Sequence, residues 1–348
     1  MLKSMDIENL TVFPHAHVDF SLGLNVIVGE NGTGKSHLLK AAYSLLAVSS
    51  EGGRKFRGTT PTKNYLQTAI AEKLVGVFRP ETLGRLTRRR QGRGRCDISL
   101  RFDTSEWDFS CGFSSNSKAE VSVDKMPSSW SDIEPVFLPT RELMSLYTNF
   151  VATYDRHYLE FEETWKDTCL LLGAPLRKGP RETSVRAILD PLEEGMSGKI
   201  VVSDGRMYLQ KRDGRMEMYL IAEGHRKLAM IAHLVSSGVL KRNSCLFWDE
   251  PEANLNPKLV KLVAETILKL CEQGIQVFIS THDLFLLREL ELRRRDHKDV
   301  SVRFIGLHEG DVGVKLEQGD SIDDVGEVVS LEENADQSNR YLSMDWQE

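Results

Sequence analysis

The stretch Leu24 to Leu39, LNVIVGENGTGKSHLL, constrains this chain more than any other. An apolar run, Leu24 to Val28, leads into Gly29-Glu30-Asn31-Gly32-Thr33-Gly34-Lys35-Ser36, which meets the pattern G-x-x-x-x-G-K-[ST] at each fixed position. Glycines let the backbone adopt positive φ and turn its N–H groups inward, so a chain of donors and the start of the next helix surround a phosphate group. Lys35 is expected to reach the β- and γ-phosphates and to serve the chemistry, and Ser36 to ligate Mg²⁺. Gly29, Asn31, Gly32, Thr33, Gly34, Lys35, Ser36 and His37 are the expected nucleotide contacts. A Gly-rich turn that matches by chance would lack the strand before and the amphipathic run His37 to Ala47 after.

With 348 residues the chain can bury one large core or two modest ones. No apolar run approaches the ~20 residues that span a bilayer, and MLKSMDIENL lacks a signal-peptide core, so a cytoplasmic protein without membrane contact is expected. Cys96, Cys111, Cys169, Cys245 and Cys271 are scattered, without C-x-x-C spacing, and read as reduced thiols rather than metal ligands. The net charge of −6 conceals an asymmetry: seven arginines and one acid between Arg85 and Arg101, and twelve acids against two bases over 309–348. The basic segment is able to neutralise nucleic-acid phosphates, and the acidic one to dock on a basic partner; solvated loops are the alternative.

Early strands are expected at Leu2 to Glu8 and His17 to Phe20, with a turn at Phe13-Pro14-His15. The helix after the phosphate loop should end near Val48, because SSEGGRKFRGTTPTK (49–63) has loop composition. A helix at Asn64 to Phe78 precedes the arginine segment, and strands at Cys96 to Phe102, Trp107 to Phe113 and Ala119 to Val123 suggest an antiparallel sheet. Pro135 to Pro139 reads as a short buried strand that delivers Thr140, Arg141 and Glu142 to its C-terminal end. The run Glu142 to Leu172 is helical, with an aromatic stripe (Tyr147, Phe150, Tyr154, Tyr158, Phe161, Trp165) that reads as core or subunit interface. A second helix, Glu182 to Glu194, and a β-meander turning at Asp204-Gly205 and Asp213-Gly214 come after it.

A second informative region begins at Leu220. The run LIAEGHRK enters a helix; the buried strand Ser244 to Trp248 ends in Asp249-Glu250-Pro251; and Gln276 to Ser280 ends in Thr281-His282-Asp283. Phosphoryl transfer asks chiefly for positioning and charge stabilisation. One carboxylate for metal and one for water is the minimal protein contribution: Asp249 holds Mg²⁺ through water, and Glu250 orients or deprotonates the attacking water. His282, at the next strand tip, is placed to hydrogen-bond the γ-phosphate.

On these residues the chain resembles the ABC-type ATPases of the SMC, RecF and OLD-like class. The resemblance runs from Leu2 to about Leu307 and rests on GENGTGKS (29–36), AEGHRK (222–227), CLFWDEP (245–251), EANLNP (252–257) and STHD (280–283). It implies an α/β fold: an ABC-ATPase head with a P-loop core, a mixed sheet, an antiparallel β-subdomain and a short helical insert. It also implies ATP and Mg²⁺ as cofactors, bound between two copies, with Glu223, Gly224 and Asn254 of one copy acting on the nucleotide of the other and Asn256 at the same seam. The boundaries would be lobe I over 1–141, the insert over 142–197, lobe II over 198–307 and an acidic tail over 308–348. AEGHRK lacks the serine-rich form L-S-G-G-Q, and no glutamine precedes the insert, where Arg141 stands in its neighbourhood.

VFLPTRE, E-G-x-R-K and VVSLEENADQSNRYL are similar to stand-alone ATPases of bacterial anti-phage systems of the PARIS type. That likeness implies a sensor or scaffold, a homodimer or larger homo-oligomer, that controls a separate effector, nuclease or toxin. About 40 residues come after Leu307, too few for the Toprim nuclease of OLD enzymes, so an effector is expected on another chain. A RecF-like DNA-maintenance ATPase, with DNA on Arg85 to Arg101, is the alternative. A transporter motor fits poorly with the insert and the arginine loop, and a small-molecule kinase has no use for D-E-P and T-H at successive strand ends.

Overall fold

The structure, a computed structural model, describes residues 1–344 apart from 90, 91, 158, 204 and 327. Arg90 of the basic segment, Tyr158 of the aromatic stripe and Asp204 of the expected turn therefore lie outside the described residues. The chain begins with β1 (Leu2–Leu10), β2 (Phe13–Asp19), β3 (Leu24–Gly29), α1 (Lys35–Lys55) and α2 (Lys63–Phe78). Next come β4 (Arg95–Phe102), β5 (Phe109–Ser114), β6 (Ser122–Lys125) and β7 (Glu134–Leu138). The helices α3 (Tyr147–His157), α4 (Glu163–Leu172) and α5 (Thr183–Met196) precede the meander β8 (Lys199–Ser203), β9 (Arg206–Lys211) and β10 (Gly214–Glu217). The remainder is α6 (Glu223–Ser237), β11 (Ser244–Asp249), α7 (Pro257–Glu272), β12 (Gln276–Thr281), α8 (Leu284–Arg294), β13 (Val302–His308), β14 (Lys315–Gly319) and α9 (Val329–Leu342).

Among the described residues the strands form three sheets. The central one has the order β14-β13-β3-β12-β11-β7, parallel except for β14 at its edge. An antiparallel sheet β2-β1-β4-β5-β6 lies to one side, and β10-β9-β8 closes a small third one. This is the α/β head with mixed and antiparallel sheets that the resemblance implies. Central strands are apolar on both faces because each face meets a separate core. Leu246 and Trp248 of β11 join Val26, Val28 and the helices α4 to α8, whereas Phe247 joins Ile27, Phe278 and α1. Phe247 and Phe278 stack at 4.6 Å between centroids, and Tyr43 of α1 stands edge-on to Phe247 and Phe137. That packing sets α1, and so the loop that precedes it, against the C-terminal ends of β3, β11 and β12.

The expected turn at Phe13-Pro14-His15 falls instead at Thr11-Val12, where Thr11 has φ 47°, and Phe13 already begins β2. Pro14 is tolerated because β2 is the last strand of its sheet. The first helix runs seven residues past Val48, through Ser49 to Lys55. Its Gly52 and Gly53 are packing residues rather than helix breakers, since a Cβ on either would meet the side chain of Trp130. Ser49 is held inside the fold by the backbone N–H of Ser131, which donates to its Oγ at 3.1 Å.

The helical run Glu142 to Leu172 divides into α3, interrupted near its start at Thr148 and Asn149, and α4. The chain reverses so that the aromatic stripe closes on itself: Phe161 lies 5.6 Å from Phe150 and 5.0 Å from Trp165, and Phe150 is buried in the core. α4 docks on β7 through Thr168, whose hydroxyl donates to the Phe137 carbonyl at 2.5 Å. The last expected strand of the antiparallel sheet is displaced from 119–123 to β6. The acidic stretch 308–348 supplies β14, paired with β13 of the central sheet, before it forms α9.

Candidate nucleotide site

The phosphate loop leaves β3 at Gly29, where a Cβ would collide with the Leu307 carbonyl and the Thr33 hydroxyl. Gly32 and Gly34 have φ of 90° and 91°, in the left-handed region open to glycine. Thr33 is buried, and its hydroxyl donates to the Glu30 carbonyl at 2.8 Å, which closes the loop. Lys35 opens α1, and its ammonium donates to the carbonyls of Gly29 and Glu30 at 2.8 and 2.9 Å. Burial lowers its pKa, while the charges of Glu250 and Asp249 oppose that shift.

Ser36 and Asp249 stand 213 residues apart in sequence, yet Ser36 Oγ donates to Asp249 Oδ1 at 2.9 Å. The same Oδ1 accepts from Ser280 Oγ, so β11 and β12 are tied at their ends. A serine hydroxyl and a buried carboxylate converging beside a left-handed glycine loop are the hard oxygen donors that suit Mg²⁺ on a polyphosphate. The residues present therefore fit a Mg-nucleotide.

Glu250 has φ 46° although Pro251 comes next, a position normally pushed toward extended backbone. Such a conformation costs on the order of 1–3 kcal/mol and is kept where surroundings over-determine it. Here the Glu250 N–H donates to the Ser280 carbonyl at 3.1 Å, and Glu250 Oε1 lies 3.3 Å from His282 Nδ1. The half-exposed His282 ring thus reaches both the carboxylate and the space beside the phosphate loop.

At the start of α6, Glu223 Oε1 accepts from Asn254 Nδ2 at 3.0 Å, which places two of the expected trans-acting residues together. Gly224 is buried against Leu255, Leu259 and the Asn254 carbonyl, so it serves packing within its own chain. Asn256 caps α7, accepting from the Leu259 N–H at 3.0 Å, so its side-chain oxygen is engaged within its own chain. His37 turns toward the β1–β2 turn: its Nδ1 lies 3.0 Å from Thr11 Oγ1 and its ring packs on Phe78, with burial lowering its pKa. Asn31 is exposed at the loop tip. Arg141 is also exposed, and Glu142 points inward instead, accepting from Arg226 Nε at 2.6 Å and from Ser145.

Several residues at the site escaped sequence reasoning. Lys227, one turn into α6, is 1% exposed and donates to the carbonyls of Glu250 and Ala253 at 2.9 and 3.0 Å. Glu252 is buried, accepts from Thr281 Oγ1 at 2.5 Å, and its Oε2 has no partner among the described residues. Burial pushes its pKa up to about 7. Ser280 and Thr281 stand directly before His282 in S-T-H-D, and that adjacency was their only visible signal.

The raised Glu252 pKa carries a sign. Between the ordinary glutamate value of 4.5 and about 7 the folded chain holds a proton that the unfolded chain releases, so stability falls as pH rises through that window. Glu252→Gln is expected to remove this slope and, at pH 8, to be more stable than the wild type by roughly 1–3 kcal/mol. Urea melts at pH 5 and pH 8 test it; a slope that persists in the glutamine variant excludes Glu252 as its source.

Among the described residues no helix is long and apolar enough to cross a membrane, and no cluster of three or more metal-binding side chains forms. The five cysteines are free and buried.

A family model described as "AAA domain, putative AbiEii toxin, Type IV TA system" matches residues 107–288, more than half of the chain. The chain belongs to that AAA-domain family. A second model, "AAA domain", matches residues 4–123, which include the phosphate loop of this AAA protein. Of the solved structures, the Smc head domain of Pyrococcus furiosus, bound to the C-terminal domain of ScpA, is 12% identical with a TM-score of 0.53, over 98% of this chain and 99% of that one. An Smc head bound to the C-winged helix domain of ScpA is 13% identical with a TM-score of 0.54, over 92% and 98%. These likenesses show the fold: the AAA protein has the architecture of an SMC head domain. A 66-residue segment is 38% identical to the Old nuclease of Escherichia phage P2, covering 18% of this chain and 11% of that nuclease.

Proposed function

We propose that the AAA protein binds and hydrolyses ATP with Mg²⁺ and works as a homodimer, open to higher assembly, that clasps nucleotide between copies. Ser36 and Asp249 would hold Mg²⁺, which supplies charge neutralisation on the phosphates. Lys35 and the loop N–H groups bind phosphate, Glu250 takes the proton of the attacking water, and His282 orients Glu250. Glu223 and Asn254, paired at the start of α6, serve the nucleotide of the other copy. The observation that carries the reading is the meeting of Ser36 with Asp249, with Glu250 held in a left-handed turn immediately after.

The units are 1–141 and 198–307 as ATPase lobes, 142–197 as helical insert and 308–348 as acidic segment. We place the protein in the cytoplasm, as sensor or scaffold of a prokaryotic anti-phage system that controls a separate effector. The family description, which names a type IV toxin–antitoxin system, and the likeness to a segment of a phage nuclease support that setting.

Lys35→Ala is expected to weaken ATP binding by at least about a hundredfold, since it removes the cation on the β/γ-phosphates. Isothermal titration with ATP checks this, and native affinity in the variant would overturn the site. Co-purification from a native host identifies the effector.

A second reading, a DNA-maintenance ATPase of RecF type, is favoured by the place of the arginines. Arg85, Arg88 and Arg89 line a cleft of about 510 Å³ with Gly32 of the phosphate loop, and among the described residues neither Arg88 nor Arg89 has an ion-pair partner. DNA-stimulated hydrolysis that disappears in an Arg88→Ala, Arg89→Ala chain would select this reading.

A further inference from the structure

The backbone at Glu250 poses a physical question that its own hydrogen bonds do not answer. A non-glycine residue at φ 46° before a proline is disfavoured twice over. Its N–H is held by Ser280, but its carbonyl, on the peptide that joins Pro251, must be held as well or the turn relaxes. Two donors reach that oxygen: the Ala253 N–H at 3.1 Å, within the turn, and the Lys227 ammonium at 2.9 Å, from outside it. Lys227 also binds the Ala253 carbonyl at 3.0 Å, so one buried side chain grips both ends of the turn 250–253.

The anchor of that grip is α6. Three residues before Lys227 the helix packs Gly224 against Leu255, Leu259 and the Asn254 carbonyl, and four residues before it Glu223 accepts from Asn254. The first turn of α6 therefore touches the segment 250–255 at side chain, backbone and helix surface. Of these contacts only Lys227 bonds directly to Glu250. A lysine amine with no access to water, its pKa pushed down to about 8 by burial, is an expensive way to satisfy two carbonyls unless their placement matters.

We propose that Lys227 is a positioning residue for nucleotide hydrolysis: it fixes the Glu250 peptide in its left-handed form, aims the carboxylate, and passes displacements of the α6 N-terminus to Glu250. The proposal rests on the reading of Glu250 as the residue that activates water. It adds that hydrolysis depends on a side chain with no place at the phosphates. Whatever seats against Glu223 moves α6, and the ammonium moves the turn with it.

Lys227→Met keeps the length of the side chain and removes its donors, and Lys227→Arg keeps charged donors. Steady-state ATPase kcat and KM, equilibrium binding of a fluorescent ATP analogue and thermal melting are measured for each, with Glu250→Gln in parallel. For Lys227→Met, kcat is expected to fall by about a hundredfold with nucleotide affinity within about twofold of wild type, and Lys227→Arg to recover to within about fivefold. Lys227→Gln, which keeps a polar tip but is too short to reach both carbonyls, carries the same expectation as methionine where the methionine chain does not fold. A kcat near wild type, or a loss of affinity as large as the loss of kcat, overturns the positioning role. If Glu250→Gln hydrolyses ATP normally, the reading of Glu250 itself falls. If Glu250→Gln is inactive while Lys227→Met matches wild type, only the role of Lys227 falls.

Discussion

Glu250→Gln is expected to keep ATP bound while turnover falls by about a hundredfold to ten-thousandfold. The amide has the shape of the carboxylate and fits the same left-handed turn, so β11 and its bond to β12 stay intact. It lacks a lone pair basic enough to take the proton of water, and general-base catalysis is commonly worth that range. Its neighbour at 3.3 Å, His282, loses a charged partner without losing its place. Under the two-copy reading the variant should accumulate as an ATP-bound dimer, visible by light scattering on a sizing column. Hydrolysis at the native rate would assign the chemistry elsewhere, and a monomer with ATP bound would remove the clasp.

Lys73→Met is expected to lower stability by about 3 kcal/mol or more. The Lys73 ammonium, 4% exposed, pairs with Asp167 at 2.8 Å, Glu163 at 2.9 Å and Glu51 at 3.1 Å, and Tyr43 donates to the same Asp167 at 2.7 Å. Burial on its own would lower the Lys73 pKa, but Asp167, Glu163 and Glu51 outweigh it and hold the group above the ordinary lysine range. Removing the cation leaves these acids facing one another, and the loss of one partner from a buried ion pair typically costs about 3–5 kcal/mol. Glu51 is partly solvated and softens the loss, so the lower end applies. The sign with pH comes from Glu163, whose folded pKa burial raises even with Lys73 present. A carboxyl whose folded pKa is raised contributes stability below its unfolded value and loses it as pH rises through the folded one. The variant should therefore lose more at pH 8 than at pH 5 in urea melts. A loss under about 1 kcal/mol, or one independent of pH, would mean that water already neutralises the cluster.

The segments that were legible in the sequence carry their information locally. GENGTGKS demands its conformation through its glycines, and two apolar strands declare themselves by composition and by the polar pairs at their tips, Asp249-Glu250 and Thr281-His282. The end of α1 was hidden because Gly52 and Gly53 look like a break until Trp130, nearly eighty residues later, is seen against them. Pro14 gave the same false signal for the opposite reason, since only a sheet order can reveal that β2 lies at an edge. Buried charge was least legible. Lys73 stands in no motif, and although Lys227 and Glu252 fall within AEGHRK and EANLNP, a lone Lys or Glu says nothing about the carbonyls and carboxylates that the fold will bring to it. The place of Glu142 beside Arg226 was hidden likewise, and Arg141, its exposed neighbour, had the more conspicuous charge.

The position of β3 in the central sheet also bears on how the protein is made. Its two neighbours, β12 and β13, are encoded about 250 and 280 residues after it. At about 5–20 residues per second, a strand that has left the ribosome waits on the order of tens of seconds for either edge to be covered. The β1–β2 hairpin forms from adjacent residues and does not have to wait. Asp249 is made 213 residues after Ser36, and Ser280 later still, so a translation product interrupted between them retains the nucleotide motif without the means to complete its site. On the proposed reading, a partner that responds to the completed Mg²⁺ site is shielded from engaging such fragments.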